Sequence, residues 1–63
     1  MKQIKYKYHK YYINNEGYKN NLEIYYWQNG NIAVKINWDN GKRHGLCIDY
    51  NTIGKIDYHI YYL

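Results

Sequence analysis

GYKNNLEIYYWQNGNIAVKINWDN (residues 17–40) lies over GKRHGLCIDYNTIGKIDYHIYYL (residues 41–63) without a gap. Gly17 falls on Gly41, Leu22 on Leu46, Ile24 on Ile48 and Tyr26 on Tyr50. Further along, Gly30 falls on Gly54, Ile32 on Ile56, Ile36 on Ile60 and Trp38 on Tyr62. A 24-residue period of this kind is one supersecondary unit used twice, which settles the architecture before any single residue is interpreted.

Inside each copy the apolar residues alternate. Leu22, Ile24 and Tyr26 form one run, and Ile32, Val34, Ile36 and Trp38 the next. Leu46, Ile48 and Tyr50 form a third, and Ile56, Tyr58, Ile60 and Tyr62 a fourth. Period two predicts half-buried strands with one apolar face. The intervening positions (Glu23, Tyr25, Trp27, Ala33, Lys35, Asn37, Cys47, Asp49, Asp57, His59, Tyr61) predict a polar second face that carries three large aromatics. Asn29-Gly30, Asp39-Asn40-Gly41 through Gly45, and Asn51 through Lys55 punctuate the runs as turns, Asn-Gly being a strong hairpin signal. No apolar spacing of the helical kind persists, so no long helix is expected.

Toward the N-terminus, Ile4, Tyr6 and Tyr8 alternate with lysines and His9 until the pattern breaks at Lys10. One extra residue in a strand reads as a β-bulge. Tyr8 to Ile13 also resembles Tyr58 to Leu63, so the chain reads as a half repeat (residues 4–16) followed by two repeats (17–40 and 41–63). The expectation is a single all-β domain: an antiparallel meander of about five strands, roughly 4–13, 20–27, 32–38, 45–50 and 55–62. With no helix to cover the apolar face, the sheet must curl, pair with a second copy or be covered by a partner.

Tyr26-Trp27-Gln28-Asn29-Gly30, Trp38-Asp39-Asn40-Gly41-Lys42-Arg43-His44-Gly45 and Tyr50-Asn51-Thr52-Ile53-Gly54-Lys55 resemble MORN-type repeats, in their bacterial aromatic-x-Asn-Gly-Lys form. The resemblance covers residues 17–63 and is most specific at Asn-Gly-Lys-x-x-Gly. Asn31 replaces the usual Lys, and Asn21 stands where the pattern has a glycine. The resemblance implies stacked β-hairpins in an elongated sheet, and a non-enzymatic protein-binding or scaffold role with antitoxin-like relatives.

Composition narrows the classes. Tyr, Ile, Asn and Lys supply 37 of 63 residues, with no Phe, Pro or Ser. Their A/T-rich codons point to a low-GC bacterial, phage or large DNA virus genome. A domain this small needs a staple. The lone Cys47 rules out an intrachain disulfide, so self-association as a homodimer is expected. No apolar run approaches the roughly 20 residues of a membrane span, and no apolar stretch follows the N-terminal lysines, so a cytoplasmic location is expected.

The absence of Ser removes a serine triad. Cys47 could pair only with His9, His44 or His59, and no spacing among these resembles a metal motif. The expectation is therefore no enzyme, no cofactor and no metal. Two binding surfaces remain. Tyr25, Trp27 and Tyr61 on the polar face suit protein contact, as Tyr and Trp are favoured at hot spots; the alternative is that they stack across strands. Lys5, Lys7 and Lys10, interleaved with tyrosines, and Lys42 and Arg43 in the turn suit nucleic acid or another anionic surface. The alternatives there are lysines guarding an edge strand and a solvated turn. The first functional expectation is a small protein-binding inhibitor, antitoxin-like or a phage anti-defence factor. The second is nucleic-acid or anionic-surface binding through the N-terminal strand.

Overall fold

The computed structural model describes every residue, 1–63. It is one antiparallel sheet with no helix. Its strands are β1 (Lys2–Lys5), β2 (His9–Ile13), β3 (Asn21–Tyr26), β4 (Ile32–Asp39), β5 (Lys42–Arg43), β6 (Gly45–Tyr50) and β7 (Ile56–Tyr62). The spatial order is β1-β2-β3-β4-β6-β7, a meander, with the two-residue β5 also paired to β4.

The 24-residue period holds at the level of backbone register. Glu23 pairs with Ile36 and Tyr25 with Val34; in the second copy Cys47 pairs with Ile60 and Asp49 with Tyr58. Even the irregularities repeat, between Tyr25 and Tyr26 and between Asp49 and Tyr50. The turns repeat as well. Trp27 N–H donates to Asn31 O and Gly30 N–H to Trp27 O; Asn51 N–H donates to Lys55 O and Gly54 N–H to Asn51 O. The same turn occurs a third time, from Asn14 to Tyr18. There Asn14 Oδ1 accepts from the amides of Glu16 and Tyr18, as Asn51 Oδ1 does from those of Ile53 and Lys55. Asn21 keeps the backbone of the repeat although it stands in for a glycine: its φ is 68° against 80° at Gly45. Asn is among the few side chains that tolerate this left-handed conformation.

Two expectations are corrected. The first concerns residues 4–13, which form a hairpin and not one bulged strand. Tyr6 N–H donates to His9 O, and Lys5 lies directly across from Lys10. The break in alternation at Lys10 is where the chain has already reversed direction. This hairpin and the short β5 raise the strand count from about five to seven.

The second correction concerns the apolar face. Directly opposed residues of an antiparallel pair share a face. Leu22 lies across from Asn37, Ile24 from Lys35, and Ile48 from both Lys35 and His59. Val34, Ile36 and Trp38 instead share a face with Tyr25, Glu23 and Asn21. The apolar runs of successive strands therefore fall on alternate sides. The front carries His9, Glu23, Tyr25, Val34, Ile36, Trp38, Cys47 and Ile60, and the back carries Lys10, Leu22, Ile24, Ala33, Lys35 and Ile48. The small core is split accordingly, with Ile36 and Cys47 buried in front and Ile24 and Ala33 behind.

The molecule is a single layer, 36 × 28 × 9 Å in extent. Its radius of gyration is 12.0 Å, against about 10.6 Å for a compact domain of this length.

Candidate functional site

Glu23 is the most buried side chain, 1 % exposed, although the sheet has only one layer. Front-face neighbours from several segments roof it. Lys19 Nζ, just before β3, donates to both carboxylate oxygens at 2.9 and 3.2 Å. Trp38 Nε1 on β4 donates at 2.9 Å, and His9 Nε2 on β2 also meets the carboxylate. An ionised carboxylate only accepts, so the His9 proton resides on Nε2. The His9 ring stacks on Tyr25 with centroids 3.9 Å apart, and Lys19 Nζ lies between the rings of Tyr11 (5.0 Å) and Trp38 (5.2 Å). Burial pushes the Glu23 carboxyl up, but the bonds from His9, Lys19 and Trp38 outweigh it and hold it below the usual carboxylate range. Burial, and next the charge of Glu23, push the Tyr25 hydroxyl above its usual range. No surface recess is lined by Glu23. Its acceptor sites are committed internally, and the cluster ties β2, β3 and β4 together.

Tyr25, Trp27 and Tyr61 do not form one surface. Tyr25 is on the front, partly covered by His9. Tyr61 is on the back, opposite Leu46, and is 64 % exposed. Trp27 belongs to the β3–β4 turn, where its Nε1 donates to Tyr50 O at 3.3 Å. That bond, and Asn29 and Asn31 donating to Thr52 O, couple the equivalent turns of the two repeats.

The lysines divide into two places. Lys5, Lys7 and Lys10 do converge, lining with Tyr6, Tyr8 and Tyr26 a recess of about 280 Å³ at the β1–β2 turn. Lys5 and Lys10 oppose each other across the strands, and no acid lines the recess. Lys7 lies over the Tyr8 ring and Lys10 over that of Tyr26. Lys42 lies across from Asp39 in the β4–β5 hairpin, whereas Arg43 lies on the front between Trp38 and Tyr62, each ring centroid 5.7 Å away.

The two sheet edges differ. Edge strand β1 carries Lys2 and Lys5, the charged guard that discourages edge pairing. Edge strand β7 is longer, has no lysine, and leaves Ile56, Tyr58, Ile60 and Tyr61 exposed. Sequence reading missed this edge because the alternation of β7 matches that of β4, which is paired on both sides.

No protein-family model, curated protein or solved structure matches this chain.

Proposed function

We propose that this chain is a non-enzymatic binding protein that works as a homodimer and seats a protein partner, in the manner of an inhibitor or antitoxin-like factor. The observation that carries the reading is β7, a seven-residue edge strand with exposed isoleucines and tyrosines, open backbone donors and acceptors and no guarding lysine. An edge of this kind pairs with another strand unless something prevents it. The occupant is a second copy. Antiparallel pairing about a two-fold axis at His59 sets Tyr58 against Ile60 of the second copy, and Asp57 against Tyr61 of the second copy. No like charges meet in that register, and the sheet continues from one copy into the other. The repeat pattern, with its MORN-type resemblance to protein-binding scaffolds, agrees with this role.

The axis gives a specific test. A residue on it meets itself, so His59→Lys opposes two permanent like charges while leaving the exposed side of the monomer otherwise unchanged. Sedimentation of the wild type is expected to give twice 7.8 kDa, and the His59→Lys variant 7.8 kDa. A wild type that is monomeric at every concentration overturns the reading.

A second reading is favoured by the lysine recess alone. Three unneutralised lysines with tyrosine rings suit the phosphates and bases of single-stranded nucleic acid. Titration of a labelled dT12 strand tests it: binding weakens steeply with salt and drops on Lys5→Gln and Lys10→Gln. A flat salt response counts against it.

A further inference from the structure

The two repeats share their backbone but not their polar contents, and the difference leaves a cation unspent. In the first repeat, Lys19 rests between Tyr11 and Trp38 and delivers its charge to Glu23, with Trp38 Nε1 as a second donor. Twenty-four residues on, Arg43 takes the place of Lys19 and Tyr62 that of Trp38. The aromatic–cation stacking is retained, with Arg43 between Trp38 and Tyr62. The place of Glu23, however, is taken by Cys47, at the same register position against Ile60.

A thiol is shorter than a carboxylate and carries no charge. The only contacts between a basic and an acidic side chain go to Glu23, from Lys19 and His9, and the one side-chain hydrogen bond of Arg43 goes from Nη1 to Tyr62 Oη at 3.2 Å. A guanidinium has five donors, so most remain available. Above Cys47 there is a recess of about 190 Å³, floored by Val34, Ile36, Cys47 and Ile60 and bordered by Arg43 and Tyr62. Asp49 also borders it, two residues along β6 from Cys47. It adds one negative charge to the lining, while the Arg43 end suits a carboxylate. A guanidinium fork matches the planar carboxylate through two parallel hydrogen bonds.

We propose that the recess beside Arg43 and Tyr62 is a carboxylate-binding site, which receives an aspartate or glutamate side chain of the protein partner where the first repeat supplies its own Glu23. The source of the carboxylate rests on the protein-binding reading above; the chemistry of the site does not. Because β7 borders the recess, pairing two copies along β7 sets two such sites on the same face, flanking the two-fold axis.

Cys47→Glu tests the chemistry inside the protein itself. A glutamate placed under a buried thiol's position ordinarily destabilises severely. Here Arg43 and the Tyr62 hydroxyl stand where two of the three donors of Glu23 stand in the first repeat, and Val34 holds the place of His9, so its unfolding midpoint is expected to fall far less than that of Cys47→Glu combined with Arg43→Met. Adding Arg43→Met to Cys47→Glu is expected to lower the midpoint far more than Arg43→Met does alone. Equal effects of Arg43→Met in both backgrounds overturn the proposal. Hexaglutamate peptide tests external binding, read from NMR shifts of the Arg43 Nε–H and the Tyr62 amide. Those signals are expected to move in the wild type, to need at least about tenfold more peptide in Arg43→Met, and to stay still in Cys47→Glu, where the site fills itself. Movement confined to Lys5, Lys7 and Lys10, or movement at Arg43 with dT12 and not with hexaglutamate, overturns it. A monomer that still shows the Arg43 response removes the dimer reading and leaves this site standing.

Discussion

Glu23 shows how one residue can organise a sheet that has no second layer. A buried carboxylate is costly unless its oxygens are satisfied, and here Lys19, Trp38 and His9 satisfy them from three different segments. The net effect lowers its pKa, so folding stability gains from its ionisation above the usual carboxylate range, and that gain is lost as the pH falls through the lowered folded value. Glu23→Gln keeps the shape but turns an amide group toward the donors. It is expected to lose about 1–3 kcal/mol at neutral pH in urea unfolding, and to show a flatter decline than the wild type as the pH falls through and below the usual carboxylate range. If both proteins decline in parallel there, Glu23 is not the group responsible. Little of this was legible in the sequence, where Glu23 reads as a spacer between Leu22 and Ile24. Its partners lie 4, 14 and 15 residues away, and only the register of three strands brings them together. The available clue was the repeat itself, since it aligns Glu23 with Cys47 between the matched pairs Leu22/Leu46 and Ile24/Ile48.

At the scale of elements, the turns decide which predictions succeed. The chain has two Asn-Gly pairs, and they do different work. Asn40 and Gly41 both have positive φ, 50° and 87°, and make the two-residue β4–β5 hairpin. Only Gly30 of the Asn29-Gly30 pair is positive, within the longer turn from Trp27 to Asn31. A left-handed conformation costs an L-residue roughly 1–2 kcal/mol. A Cβ at Gly30 would meet open space, whereas one at Gly41 would come within 3.1 Å of the Tyr18 ring. Gly41→Ala is therefore expected to destabilise more than Gly30→Ala, by a margin that reports the Tyr18 contact. Equal unfolding midpoints for the two variants would show that ring to be free to move aside. The β1–β2 turn escaped sequence reading because Tyr6-Lys7-Tyr8 contains no Gly, Asn or Pro, the residues by which a reversal is ordinarily recognised. Strands β3, β4, β6 and β7 were legible because their turns carry those residues and their sequences repeat.

At the scale of the whole molecule, the register changes where cover is needed. Read as a sheet with one apolar face, the chain demands a lid over that face. With the apolar runs on alternate sides, each face is half covered by its own long side chains, as where Lys19 and Arg43 lie against aromatic rings. The open backbone lies at the edges, and of the two edges β1 carries two lysines whereas β7 carries none and has Asp57 as its one acidic or basic residue besides His59. The lack of cover was thus visible in the sequence, but its place in the sheet was not, because strand order and face assignment both depend on pairings between distant residues. In the proposed dimer, a layer this thin, with few buried side chains, gains stability from pairing along β7. Association of native chains makes melting depend on concentration by mass action. The wild-type melting temperature is expected to climb steadily as protein concentration is raised a hundredfold, while that of His59→Lys stays constant. Hydrogen exchange supplies the local counterpart: amides of β7 gain protection with concentration in the wild type, and those of β1 do not. A concentration-independent melt of the wild type would mean that β7 remains open, and that the sheet is stable as a single layer on its own.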